Sequence, residues 1–260
     1  LDEDAVRAAG ARLARAGVEA VAVAFLFSHK NDAHERRAAQ ILRETMPGAF
    51  VTTSSEVAPE IGEYERSATA LFNAYVGPVI RSYLRRLEAR LADEGLAQRL
   101  LVVQANGGVA TAAQTVPIFT IESGPAAGVV GAAAIAATLE RPNVIATDVG
   151  GTTFKVAVIE NGRWGYSRET VLNQYQLRLP MVDLASIGAG GGSIAWVDGA
   201  RLRVGPRSAA AAPGPACYGL GGSEPTVTDA DLVLGYYNPE RFLGGRMKLH
   251  VERAHDAFLT

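Results

Sequence analysis

The stretch that most constrains this chain runs Val144-Ile145-Ala146-Thr147-Asp148-Val149-Gly150-Gly151-Thr152-Thr153-Phe154-Lys155-Val156-Ala157-Val158-Ile159. Two apolar, β-prone runs flank a centre of Asp, two Gly and two Thr, which predicts a strand that turns tightly and returns as its antiparallel neighbour. Glycines at 150 and 151 let backbone N–H groups approach an oxyanion with no Cβ in the way, and the hydroxyls of Thr152 and Thr153 can donate to it. Asp148, at the end of the incoming strand, suits water-mediated contact to Mg²⁺, which keeps most of its waters beside phosphates. The stretch reads as a phosphate-holding hairpin, with a plain Gly-Gly-Thr turn as the alternative. It is neither a Walker loop nor a dinucleotide loop, because both of those open a helix and here a strand follows.

The flanking chain predicts an α/β fold. Residues 4–16 place Val6, Ala9 and Leu13 on one helical face, closed by Gly17. Val18 to Phe27 reads as a buried strand, 31–46 as a helix capped by Asn31, and Phe50 to Thr53 as a second strand, a β-α-β unit with parallel strands. A long helix over about 60–94 contains Pro78, which predicts a kink or two helices end to end. Leu100 to Gln104 reads as a buried strand, Asn106-Gly107-Gly108 as a turn, and Ser123 to about 138 as a helix of small residues. Beyond the hairpin, 164–169 and 174–180 read as strands. A second glycine cluster, Ile187-Gly188-Ala189-Gly190-Gly191-Gly192-Ser193, precedes a hairpin turning at Asp198-Gly199, with Arg201 to Val204 returning. Residues 205–226 read as a long loop, followed by a short helix capped by Thr228 or Asp229.

Composition narrows the function classes. With 260 residues, 48% of them hydrophobic, the chain can build one large or two smaller cores. A net charge of −2 argues against a nucleic-acid partner. The Ala/Gly/Val-rich run 124–137 is too short to span a bilayer and no signal peptide opens the sequence, so a cytoplasmic protein with no membrane partner is expected. Cys217 is the single cysteine, and it reads as a structural thiol. His29 and His34 read as capping and surface residues, Arg85 and Arg86 as a solvated helix face. The leading Leu1 and a helix still in progress over 251–260 read as a piece of a longer polypeptide.

Several segments together resemble a known family. Ser123 to Ala132, Asp148-Val149-Gly150-Gly151-Thr152-Thr153, Gly188 to Asp198, and Pro213-Gly214-Pro215-Ala216-Cys217-Tyr218-Gly219 are similar to the hydantoinase A / 5-oxoprolinase family. Glu224 to Ala230, Arg241 to Gly245, His34-Glu35-Arg36-Arg37 and Glu63-Tyr64-Glu65-Arg66 extend the likeness to nearly the whole chain. The resemblance implies an ATP-dependent ring-opening amidohydrolase acting on a small cyclic amide, or the ATP-using subunit of an acetone- or acetophenone-type carboxylase acting on a ketone. It also implies an actin-like, ribonuclease-H-like α/β fold of two subdomains, with mixed sheets and flanking helices, that uses ATP and Mg²⁺. A hydantoinase-B-like subunit would complete an oligomer.

On this reading residues 1–140 end the family's N-terminal domain with its linking helices, and 141–260 begin the hydantoinase A domain. The family's other phosphate loop has no counterpart in 1–147, so weak ATP binding is expected of 1–260 by itself. The candidate catalytic residues are Asp148 and Lys155. Gly150, Gly151, Thr152 and Thr153 would hold phosphate, Gly190, Gly191, Gly192 and Ser193 would face the nucleoside, and Asp148 with Asp229 would serve Mg²⁺, Asp229 being equally a helix cap. Lys155 departs from the family, whose hydantoinases carry Asp there, which tilts the reading towards a carboxylase subunit or an unusual branch. Only 30, 155 and 248 are Lys among 25 basic residues, so Lys155 reads as a point contact to a phosphate oxygen or as a solvent-facing strand residue. A non-catalytic actin-like or chaperone-like nucleotide switch is the rival from another class.

Overall fold

The β-α-β unit forms with the predicted parallel pairing, and its first strand is much shorter than the apolar run implies. In the computed structural model, which describes residues 1–96, 98–168, 170–172 and 174–259, α1 (Glu3–Arg15) leads into β1 (Ala20–Val23), α2 (Ala33–Thr45) and β2 (Phe50–Thr53). Ala20 faces Phe50 and Val23 faces Thr53 in parallel register. Val23, Ala38, Ala39, Leu42, Met46 and Val51 form the core beneath them. Asp2 caps α1 through Ala5 N–H, whereas Asn31, placed by sequence at the first residue of α2, accepts instead from Ala33 N–H at 3.1 Å.

The chain divides into two compact units, 1–135 with 164–183, and 136–163 with 184–260. The first continues through α3 (Ser54–Val57) and α4 (Glu63–Asp93), which runs through Pro78 as a single helix. β3 (Leu101–Val103) and β4 (Val109–Thr111) pair antiparallel around the predicted Asn106-Gly107-Gly108 turn, in which Gly107 has φ +78°. The pair is exposed or half-buried, not the buried strand expected of Leu100 to Gln104. α5 (Ser123–Thr138) follows. The second unit then contributes β5 (Val144–Val149) and β6 (Phe154–Glu160), after which comes β7 (Arg163–Trp164).

The excursion back to the first unit is made of β8 (Tyr166–Ser167), β9 (Thr170–Leu172), β10 (Tyr175–Leu177) and β11 (Met181–Val182), paired β8 with β11 and β9 with β10. Leu177, Leu179 and Met181 from it join Val57, Ala68, Ala105 and Ile118 in one core. Glu169, the predicted end of one strand, and Thr260, the predicted end of the last helix, lie outside the described residues. β12 (Ala185–Ile187), β13 (Ser193–Asp198), β14 (Arg201–Ser208), α6 (Val227–Val233) and α7 (Val251–Ala257) complete the second unit. β14 extends past Gly205-Pro206, where sequence alone ends it; the β13–β14 register shifts between Ser193 and Ala195, opposite 205–207, and such a bulge tolerates a residue without N–H. Among the described residues no helix is long and apolar enough to cross a membrane.

The predicted strand Val18 to Phe27 stops at Val23 because side chains capture the backbone that would have extended it. Phe25 N–H donates to Glu35 Oε1 at 2.7 Å and Phe25 C=O accepts from Arg66 Nη2 at 3.0 Å. Phe27, at φ +57°, donates to Glu63 Oε1 at 3.1 Å. Glu35 and Arg66 are both fully buried, a costly arrangement unless each polar atom is satisfied. Glu35 also accepts from Ser54 Oγ and Ser55 N–H, while Arg66 donates to Ser54 Oγ, Glu60 C=O and Glu63. His29 Nδ1 lies 3.3 Å from Arg66 Nη1, which gives this histidine a place in the knot.

Burial pushes the Glu35 carboxyl up, yet the hydrogen bonds from Ser54, Ser55 and Phe25 outweigh it and hold the group below the usual carboxylate range. A depressed carboxylate contributes stability above its unfolded value and loses it as pH falls through the folded one. Glu35→Gln should therefore unfold at lower denaturant at pH 7, by about 2–3 kcal/mol. It should also lose less stability than wild type on acidification from pH 5 to pH 3. Parallel acid limbs for the two proteins would contradict this.

Candidate functional site

The hairpin predicted from residues 144–159 is present, and its ladder fixes which side chains share a face. β5 and β6 pair antiparallel from Val144 opposite Ile159 to Val149 opposite Phe154. In that register Asp148 stands directly opposite Lys155, and β12 on the other side of β6 sets Ser186 opposite Lys155. Residues directly opposite in a ladder project to one face with Cβ atoms about 5 Å apart, so Asp148, Lys155 and Ser186 form one row. Asp148 is exposed and Lys155 half-buried.

The same topology brings the two glycine clusters together. β12 ends at Ile187 opposite Phe154, the first residue of β6, so the chain leaving β12 is delivered onto the hairpin turn. Gly190, Gly191 and Gly192 N–H donate to the carbonyls of Thr152, Gly150 and Gly151 at 3.2, 2.9 and 2.6 Å. Thr153 C=O accepts from Gly150 N–H at 2.9 Å. Ser193, fully buried, accepts from Gly190 N–H through its Oγ at 2.9 Å. A Cβ on Gly190 would sit 2.6 Å from Gly150 O and from Thr152 N and C, which is why no larger residue fits there.

A trans peptide unit carries its C=O and N–H on opposite sides. Tying the carbonyls of Gly150, Gly151 and Thr152 to the glycine loop therefore turns the next N–H groups, those of Gly151, Thr152 and Thr153, the other way. Among the described residues those three N–H groups and the Thr152 and Thr153 hydroxyls have no protein acceptor, and Gly151 and Thr152 are exposed. Successive outward N–H groups make an anion-binding concavity. Gly190 to Gly192, read from the sequence as a nucleoside-facing surface, have their N–H groups committed to aiming this turn.

Asp229 lies apart from that row. It is fully buried, and its carboxylate accepts from Ala216, Cys217 and Thr226 N–H and from Thr226 Oγ. These four donors commit the buried Asp229 carboxylate within the protein, which favours the structural one of the two roles the sequence offered it, Mg²⁺ ligand or part of a helix cap. It closes a capping box with Thr226 at the start of α6; the cap is Thr226, not Thr228 or Asp229, and Thr226-Val227-Thr228-Asp229 carries that signal in its spacing. Cys217 is buried beside it, and burial together with the Asp229 carboxylate pushes the thiol far up, as a structural thiol requires. Among the described residues no group of three or more His, Cys, Asp or Glu side chains is placed to share a metal ion.

Comparison with known proteins follows the same segments. A family model described as hydantoinase/oxoprolinase matches residues 66–260, and one described as hydantoinase/oxoprolinase N-terminal region matches 1–46. The chain is similar to caprolactamase subunit alpha of Pseudomonas jessenii, at 41% identity over 260 residues, 99% of this chain and 37% of that protein. It is similar to the acetophenone carboxylase gamma subunit of Aromatoleum aromaticum at 42% identity over 265 residues, 99% of this chain and 36% of that protein. The crystal structure of ATP-dependent caprolactamase from Pseudomonas jessenii aligns with a TM-score of 0.80 at 41% identity, covering 100% of this chain and 38% of that one. The chain thus spans under two fifths of the length of these relatives.

The close approach of the glycine loop predicts an asymmetry between neighbouring glycines. Gly190→Ala, whose added Cβ meets backbone at 2.6 Å, should destabilise by about 1–3 kcal/mol in denaturant unfolding, the usual cost of overpacking. Gly151→Ala, whose Cβ meets nothing within 4 Å, should cost less than about 1 kcal/mol. Equal costs would contradict the described contact.

Proposed function

The chain belongs to the hydantoinase/oxoprolinase family, and on that premise we propose that its protein is an ATP-dependent amidohydrolase opening small cyclic amides of the hydantoin, 5-oxoproline or lactam type. The observation that carries this reading is the turn at 150–153, with three outward N–H groups and two hydroxyls that have no acceptor among the described residues, beside Asp148 and Lys155. An amide carbonyl is a poor electrophile. Transfer of the γ-phosphoryl group of ATP to the amide oxygen, with ADP leaving, makes the carbonyl carbon open to water, and the protein's part is positioning and charge neutralisation.

In this scheme Gly151, Thr152 and Thr153 cradle phosphate through N–H and hydroxyl groups, and Lys155 supplies a compact positive charge. Asp148 fits a Mg²⁺ site of the kind made from one carboxylate, water and substrate phosphates, and the ion would neutralise phosphate charge there. The protein works in the cytoplasm as an oligomer with a hydantoinase-B-like subunit.

A second reading, the ATP-using subunit of an acetone- or acetophenone-type carboxylase, is favoured by the similar identity to a carboxylase subunit, 42% against 41%, and by Lys155. There the phosphoryl acceptor is an enolate oxygen. ADP release by the full-length protein, measured with hydantoin, 5-oxoproline or caprolactam and separately with a ketone plus bicarbonate, separates the two. ATP turnover indifferent to every one of these substrates would overturn both in favour of a nucleotide switch.

Lys155→Ala in the full-length protein should lose about 1.5–3 kcal/mol of nucleotide or transition-state binding, the scale of a charge-assisted hydrogen bond. Lys155→Arg should recover part of it, since a planar fork replaces a point charge. Calorimetry and turnover unchanged in Lys155→Ala would remove the lysine from the site.

A further inference from the structure

We propose that Thr228 is a positioning residue for the phosphate turn, acting through the glycine loop; this rests on the reading of 148–155 as a nucleotide site. Thr228 is buried, and both its N–H and its Oγ donate to Gly191 C=O, each at 2.8 Å. That carbonyl belongs to the peptide unit whose other end is Gly192 N–H, which donates to Gly151 C=O at 2.6 Å. Gly151 C=O in turn belongs to the peptide unit whose other end is the outward Thr152 N–H. Two rigid peptide planes in series, Gly191–Gly192 and Gly151–Thr152, therefore connect the Thr228 side chain to the central donor of the phosphate cradle, and hydrogen bonds linked in this way polarise one another.

The relay has a fixed anchor and no slack. Thr228 sits in the first turn of α6, which the Thr226–Asp229 capping box fixes, and the Asp229 carboxylate ties that turn to Ala216 and Cys217 N–H. A Cβ on Gly191 would lie 2.9 Å from Thr228 Oγ, so the hydroxyl reaches the loop only because residue 191 has no side chain. Thr228 touches neither the outward N–H groups nor any atom of the proposed reaction, and its effect is on their direction.

Thr228→Val keeps the shape and the backbone donor and removes the hydroxyl; Thr228→Ser keeps the hydroxyl. In the full-length protein, Thr228→Val should raise KM for ATP by about 3–10-fold, the worth of one hydrogen bond. KM for the cyclic amide should stay unchanged, and Thr228→Ser should restore the wild-type value. A merely structural role would lower the active fraction, and so kcat, and leave KM for ATP alone; that outcome overturns the proposal. Amide exchange of 190–192 in nucleotide-free protein tests the relay separately from the function. It should quicken in Thr228→Val and recover in Thr228→Ser, and unchanged exchange overturns the proposal whether or not wild type consumes ATP. A wild-type protein that neither binds nor hydrolyses ATP, with the exchange pattern as expected, overturns the nucleotide reading and with it the positioning role for phosphate, while the relay itself stands.

Discussion

Peptide planarity ties the two polar groups of each peptide unit to opposite directions, and the turn at 150–153 is built on that constraint. Four consecutive carbonyls, from Gly150 to Thr153, are each claimed by a backbone N–H. The three N–H groups that share planes with the first three of them are left facing outward. The turn's preorganisation is supplied by its neighbour, the glycine loop, and the loop's by α6. Preorganised donors need no reorganisation when charge arrives, which is the general source of their strength in phosphoryl transfer.

The first unit meets a different problem by similar means. Glu35 and Arg66 are removed from water completely; Glu35 is compensated by backbone and hydroxyl donors, and Arg66 by backbone and hydroxyl acceptors together with the Glu63 carboxylate. The result is a loop, Phe25 to Phe27, held at both ends of its backbone by buried or half-buried side chains while its own apolar side chains stay exposed. Replacing such a network piecemeal is expensive because every removed partner leaves another group unsatisfied.

How much of this is legible in the sequence depends on the range of the interaction. The hairpin at 144–159 is, because alternation and turn chemistry are local, and so is the parallel pairing of β1 with β2. The end of β1 is not, since the groups that stop it come from residues 35, 63 and 66. Thr226-Val227-Thr228-Asp229 holds both a cap and the proposed positioning residue, and spacing reveals only the cap. Thr228 acquires its role through Gly191, and Gly191 reaches the turn only because β12 pairs with β6. The glycine-rich composition of 188–192 reads as a surface for a nucleoside, and nothing local to it announces that its N–H groups bond the turn at 150–152.

The central claim is that the outward N–H groups of 151–153 are what phosphate meets. Backbone amide resonances of the full-length protein, followed as Mg²⁺ and ADP are added, test it directly. The account predicts the largest shifts at Gly151, Thr152 and Thr153, with the amides of Gly190 to Gly192 moving less because they stay bonded to the turn. Nucleotide binding that leaves 151–153 unmoved while shifting amides elsewhere would contradict it.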